Sequence, residues 1–306
     1  MIAAWNWQIH AIMILGLFSI GTVVGSFLNV CIYRIPWEKS VIWPGSHCPR
    51  CLNPIAAQDN IPVVSWMALR GECRTCGLPI SPRYPLIEFL VGVLFVAVYL
   101  TDIAFNKPIP WGTLPVAVPV GLTYHLLFIA LLVTATFIDF DLFLIPDQVT
   151  ATGVIIGLGL GTAFPEIRPE PANAVTHGGG LWVGILGAIA GAGLTQTVRS
   201  IGTLVFRKEA MGLGDVTLMA MIGSFMGWQA AVMTFFIAPF FGLAQSLGKV
   251  LVWVTNILRG KPRSSMGEIP FGPYLSMGAL TLLLSWFWLW PGWAKERFDI
   301  LRMLFF

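Results

Sequence analysis

Two aspartates stand where an ionisable group is expensive. Asp139 closes the apolar run 121–138, and Asp215 follows Met211-Gly212-Leu213-Gly214 at the head of another, 216–228. A carboxylate at the end of a membrane-length apolar stretch is costly to bury, and such residues default to chemistry. Two carboxyls brought close together cannot both ionise easily, so one holds a proton while the other stays anionic. That arrangement splits water against an amide. The anion takes the proton of water, while the neutral acid polarises the carbonyl and then protonates the leaving amine. Asp139 and Asp215 are therefore the expected catalytic pair, and the glycines beside Asp215 would let a substrate backbone approach closely. The structural alternative for Asp215 is a helix N-cap for the following span, a role compatible with catalysis.

A second group of residues suggests a metal. Cys48-Pro49-Arg50-Cys51 and Cys73-Arg74-Thr75-Cys76 are two CxxC pairs with 21 residues between them. Two such knuckles can close four thiolates, Cys48, Cys51, Cys73 and Cys76, tetrahedrally on zinc. The alternative is a pair of disulfides, which a reducing cytoplasmic setting disfavours. A closed four-sulfur site leaves no open coordination position, so the metal is assigned structure and no chemistry. Cys31, alone at a span end, reads as a small buried hydrophobe.

Three further acids need assignment. Asp147 follows Pro146 and reads as the N-cap of the next span; Asp141 either faces solvent or supports Asp139. Glu88, behind Arg83-Tyr84-Pro85, belongs either to a local ion pair or to a site for a cationic ligand.

The elements that must position these groups are membrane spans. The chain has 306 residues, 56% hydrophobic and 11% charged, with a mean hydropathy of +0.78. This is too apolar for a soluble globule, and the small net charge of +3 gives no reason to expect nucleic-acid binding. Apolar runs at 10–34, 86–100, 121–138, 149–164, 181–198, 216–228, 230–254 and 273–290 predict about eight transmembrane helices. The first reads as an anchor rather than a signal peptide, and a short amphipathic tail follows the last. Residues 33–84 form a soluble insert of different character. Of 18 Lys and Arg, 13 fall in residues 33–84, at Arg199, Arg207 and Lys208, and from Lys249 to Arg263. The positive-inside rule then places the insert, the turn after Asp139 and the loop before Asp215 in the cytoplasm. Both candidate acids reach the same membrane face by a count that took no account of them. Gly180/Gly184 and Gly187/Gly191, at four-residue spacing, read as close helix contacts. Gly157-Leu158-Gly159-Leu160-Gly161 lies inside a span with no strand before it and is not read as a nucleotide loop.

Together these residues resemble the type IV prepilin leader peptidases, membrane aspartic proteases and N-methyltransferases of pilus and type II secretion systems. The likeness runs through Gly25-Ser26-Phe27-Leu28-Asn29-Val30, Tyr33-Arg34-Ile35-Pro36, the paired CxxC knuckles and Asn60-Ile61-Pro62. It continues with Gly71, Arg83-Tyr84-Pro85-Leu86-Ile87-Glu88, Ile138-Asp139-Phe140-Asp141, Ile145-Pro146-Asp147, Gly212 to Asp215 and Ile269-Pro270-Phe271-Gly272-Pro273.

The resemblance implies an all-α polytopic membrane protein of the bacterial inner membrane, with a zinc-ribbon-like cytoplasmic insert between helices 1 and 2. Its parts would be a first helix (1–32), the four-cysteine insert (33–84) and a seven-helix peptidase domain (85–306). It implies that Asp139 and Asp215 cut a basic leader ending in Gly from prepilins or pseudopilins at the cytoplasmic face. The freed amine would then be methylated from S-adenosylmethionine, an activity the family places in the N-terminal half, including Gly71. One departure is visible: Thr217 stands where the family often has Lys. A peptidase without methyl transfer, and a transporter using the intramembrane acids, are the alternatives.

Overall fold

The computed structural model describes residues 7–104, 117–168, 176–209, 211–258 and 270–289. Among them are helices α1 (Trp7–Arg34), α2 (Val64–Ala68), α3 (Arg83–Tyr99), α4 (Ala117–Leu142) and α5 (Asp147–Ala163). The series continues with α6 (His177–Phe206), α7 (Leu213–Met226), α8 (Trp228–Leu258) and α9 (Gly272–Leu289). The described residues contain no strand, only the isolated bridges His47 to Pro54 and Glu72 to Pro79. The chain divides into two compact units, Met1–Thr134 and Ala135–Phe306, and the division falls inside α4.

Among the described residues, five helical stretches are long and apolar enough to cross a membrane: Trp7–Trp37, Arg83–Asp102, Pro119–Leu142, His177–Phe206 and Trp228–Lys249. A helix rises about 1.5 Å per residue, so the 14 residues of α7 reach only ~21 Å, short of a ~30 Å hydrocarbon core. α7 is the internal helix of the second unit, where neighbouring helices rather than lipid surround it. Leu218, Met219, Met221, Ile222, Ser224 and Phe225 are fully buried along it, and it packs against α5, α6, α8 and α9.

In the first unit α1 and α3 lie against each other through small residues. A Cβ on Gly21 would come within 2.7 Å of the Gly92 backbone, and one on Gly25 within 2.7 Å of Glu88 Cα, so only hydrogen fits at either crossing. α3 ends in a π-helical turn, Leu100–Ala104, where Asp102 meets His125 of α4 at 2.5 Å. Cys31 is buried and free, as its sequence context suggests.

In the second unit the glycine stripe of α6 does pack. Gly187 abuts the backbone of Gly223, and Gly191 meets the Met219 carbonyl. The other half of the stripe has a use the sequence did not disclose. Gly161 of α5 and Gly184 of α6 leave room for the guanidinium of Arg168, a residue that reads as a loop charge but is 2% exposed. Gly157-Leu158-Gly159-Leu160-Gly161 is plain α5 helix, in keeping with the reading that discounted it.

Two expectations need correction or delimiting. Asp147 is not an N-cap: Pro146 occupies that position, and Asp147 is the first helical residue, where its charge complements the helix dipole. The tail after residue 290, and most of the loops around Lys107 and 259–269, lie outside the described residues.

Candidate active site and cysteine cluster

Asp139 sits one turn before the end of α4. The helix stops because Phe143 adopts a left-handed conformation (φ 54°), its N–H donating to the Asp139 carbonyl at 3.0 Å. The chain then doubles back through Ile145 and Pro146 into α5. Ile145 is buried and acts as a wedge between two other segments. A Cβ on Gly214 would lie 2.9 Å from Ile145 Cβ, and one on Gly272 would lie 2.8 Å from Ile145 Cδ1. The starts of α7 and α9 are thereby held against the turn that follows Asp139.

This packing fixes both carboxyls. Asp139 is 5% exposed and Asp215 7%. The Gly272 N–H donates to Asp139 Oδ2 at 3.0 Å. Asp215, third residue of α7, accepts the N–H of the N-cap Gly212, the reciprocal half of a capping arrangement. Asp215 is thus not the cap itself; that residue is Gly212. The charge of Asp139 acts on Asp215, so the structure brings the sequence-predicted pair into one electrostatic site. Asp141 is exposed on the same turn. Thr217 returns its hydroxyl to the Gly214 carbonyl at 3.1 Å, within its own helix.

Sequence reasoning did not single out Gly272 or Ile145 as parts of this site. The available signal was Gly272-Pro273 at the start of an apolar run, where proline frees a helix N-terminus. Only coordinates show that a Cβ on Gly272 would stand 2.6 Å from Asp139 Oδ2.

The cysteine cluster is built from two copies of one turn. In the first, Cys48 N–H donates to Asn53 O and Leu52 N–H to Cys48 O; in the second, Cys73 N–H donates to Leu78 O and Gly77 N–H to Cys73 O. Leu52 and Gly77 hold the matching left-handed positions, φ 59° and 66°. The four sulfurs of Cys48, Cys51, Cys73 and Cys76 lie within 4.8 Å of one another, and none is in a disulfide. Tetrahedral coordination at ~2.3 Å places sulfurs about 3.8 Å apart, so a small contraction closes the set on a metal. Backbone N–H groups of Cys76 and Thr75 pull the Cys73 thiol down while burial and the neighbouring sulfurs push Cys76 up, the opposed shifts of thiols crowded into one site. The cluster fits a metal ion. Gly71 (φ 76°) lies beneath Trp66, its Cβ position 2.8 Å from the indole, and Trp66 Nε1 donates to Ile80 O at 3.0 Å.

Residues 19–101 match the Bacterial Peptidase A24 N-terminal domain, and residues 126–247 match the Type IV leader peptidase family. A prepilin leader peptidase/N-methyltransferase of Myxococcus xanthus (strain DK1622) is 35% identical over 281 residues, covering 90% of this chain and 72% of that protein. The chain belongs to the prepilin leader peptidase/N-methyltransferase family. Other relatives carrying that name come from Aeromonas hydrophila, 34% identical with 87% and 89% covered, and Neisseria gonorrhoeae, 31% identical with 84% and 85% covered. No solved structure matches. In this chain the cysteine cluster falls within the N-terminal domain match, and both Asp139 and Asp215 fall within the peptidase match. With five helices among the described residues long and apolar enough to cross a bilayer, it is a multi-pass membrane protein.

Proposed function

We propose that this protein is a bifunctional prepilin peptidase of the bacterial inner membrane. It cleaves the leader of type IV prepilins or type II secretion pseudopilins at the cytoplasmic face and N-methylates the new N-terminus. We count eight membrane crossings, with α2 confined to the insert and the short α7 included because α5, α6, α8 and α9 rather than lipid enclose it; an even count leaves both termini on the outer side. The basic loops counted in the sequence put the dyad and insert inside. The insert 33–84 then serves methyl transfer, and 85–306 the peptidase.

The observation that carries the peptidase reading is the buried pair Asp139 and Asp215, each oriented by a backbone N–H. With one proton between them, one carboxylate accepts a proton from water as its oxygen bonds to the scissile carbonyl carbon. The other hydrogen-bonds the carbonyl oxygen, and the C–N bond breaks as the nitrogen takes a proton. Gly212, whose Cβ position meets nothing nearer than Asp215 Oδ2 at 3.7 Å, leaves a peptide backbone room at the head of α7, whereas Gly214 is taken up by Ile145. Cys48, Cys51, Cys73 and Cys76 would hold a structural zinc that fixes the two knuckles. S-adenosylmethionine, when bound, supplies an activated methyl group, and the freed amine, with a pKa near ~8, is readily neutral enough to accept it.

The test is to incubate the purified full chain with a prepilin and isotope-labelled donor, reading both products by mass spectrometry. Leader loss and one added methyl are expected in the wild type, and no leader loss in Asp139→Asn or Asp215→Asn. Normal cleavage by either variant rejects the dyad.

A further inference from the structure

Within the first unit a cavity of about 260 Å³ lies where the insert meets the end of α1 and the start of α3. Its walls include Asn29, Tyr33 and Arg34 of α1, Val63 and Trp66 of the insert, and Glu88 of α3. The volume approaches the ~300–1,000 Å³ usual for small-molecule sites.

The charges on these walls are unequally satisfied. Asp59 also lines the cavity, but Arg74 holds it with two bonds of 2.7 Å. Glu88 is 9% exposed, and its partners are the Val63 N–H at 2.7 Å and the Ser26 hydroxyl. Neither is a cation, so among the described residues a carboxylate borders the cavity without a counter-charge. The described residues give Glu88 no ion pair. Arg34 is spent only in part: it donates to Ser40 O at 3.0 Å and to Gly45 O at 3.5 Å, while a guanidinium has five N–H donors.

A second observation points to the same wall. Val63 is β-branched yet has φ 61° and ψ −52°, and the Val64 N–H closes onto Pro62 O at 2.6 Å. This is a strained γ-turn, a conformation that persists only where its surroundings hold it and that gathers at ligand sites. Glu88 accepts the N–H of the residue at its centre, and Ser65 ties the flanking backbone at Ile61 and Gln58.

We propose that this cavity is the methyl-donor site and receives a sulfonium nucleoside amino acid of the S-adenosylmethionine type. The Glu88 carboxylate faces the sulfonium, Arg34 meets the donor's own carboxylate, and Trp66 and Tyr33 flank the flat base. This rests on the methyl-transfer reading above and adds its location and recognition chemistry. The substrate amine attacks the methyl carbon, the C–S electron pair stays on sulfur, and the new ammonium gives its extra proton to water. Sulfur ends neutral, so a carboxylate fixed beside it holds fresh donor more tightly than spent thioether and favours exchange.

The experiment measures equilibrium binding of S-adenosylmethionine and S-adenosylhomocysteine to the detergent-solubilised full chain, wild type and Glu88→Gln. Glutamine keeps an acceptor for the Val63 N–H and removes only charge. The variant should lose roughly tenfold or more in affinity for the sulfonium, and much less for the thioether. Equal affinities in the two proteins, or an equal loss for both ligands with the melting temperature unchanged, overturn the assignment. Independently of any variant, saturating S-adenosylmethionine should slow amide exchange across 58–66 in the wild type and leave 211–227 unaltered. A wild type that methylates its substrate without protecting 58–66 overturns the site and leaves the function standing. One that neither binds donor nor methylates removes both.

Discussion

The insert and the helices around the dyad hold polar groups in place by opposite means. In the insert, order comes from polar bonds about four sulfurs, two repeated backbone turns and one Glu88 contact to a strained loop. Around the dyad it comes from the absence of side chains: Gly214 and Gly272 let Ile145 draw three segments together, and Gly187 and Gly223 let α6 and α7 touch backbone to backbone. A segment as short as 33–84 has too little core to stand unaided and would lean on a metal held by its four cysteines. A glycine-packed bundle needs no such support. The two regions should therefore fail separately, and each perturbation below tests that separation.

The largest effect belongs to the carboxyls. Asp139→Asn or Asp215→Asn should lower leader cleavage on the order of a thousandfold or more, because the proton-transfer roles vanish while the shape remains. Methylation of a pre-cut substrate should persist in both variants. Loss of both activities together would break the comparison.

Next comes the metal. Cys73→Ser, or stripping with a strong chelator, should release about one zinc per chain and cut methylation by roughly tenfold or more, since metal binding is part of the insert's folding free energy. Cleavage by the second unit's dyad should be changed far less. Metal analysis finding no zinc, or a disulfide in each knuckle, removes the basis of this prediction.

These two outcomes concern residues that could be read from sequence, and the reason is physical. Asp139, Asp215 and the four cysteines contradict their neighbours: charge against an apolar run, thiols at metal spacing. The span positions were legible for the same reason, as each helix begins or ends close to its apolar run. What stayed hidden depends on approach in three dimensions. Gly272 resembles any helix-start glycine until its N–H is seen on Asp139. Arg168 lies in a Pro-rich segment between two apolar runs, and nothing in that segment announces that its side chain turns inward. Asp147 was misread by one position, since a proline with extended ψ can take the cap place without a side-chain bond.

Gly272→Ala sharpens the dyad half of the comparison. The added methyl would stand 2.6 Å from Asp139 Oδ2 and 2.8 Å from Ile145 Cδ1, so either the carboxyl or the start of α9 must move. A displacement well under an ångström at a catalytic group costs about 10- to 100-fold. Cleavage should fall by that amount with methylation intact. Unchanged kcat/KM for cleavage would show that the Gly272 contact does not position Asp139.

Arg168 should have the smallest effect on either reaction and a measurable one on stability. Its guanidinium donates to Gly161 O at 3.1 Å, Gly157 O at 3.0 Å, Ser224 O at 3.3 Å and also to Gly180 O. Gly161 and Ser224 lie within the last four residues of α5 and α7, whose carbonyls have no helical partner. One buried cation thus caps two helices at their negative ends. Interhelical hydrogen bonds in membrane proteins average about 0.6 kcal/mol, so losing four predicts a cost of ~2 kcal/mol for Arg168→Met, read as a lower denaturation midpoint. Arg168→Lys should recover only part of that, because an ammonium lacks the fork that reaches several carbonyls at once. At temperatures below melting both variants should cleave within about twofold of wild type, as packing energy and catalytic geometry are separable at distant sites. A larger loss of cleavage would mean that the glycine-lined slot does more than cap, and that the bundle's packing transmits to the dyad.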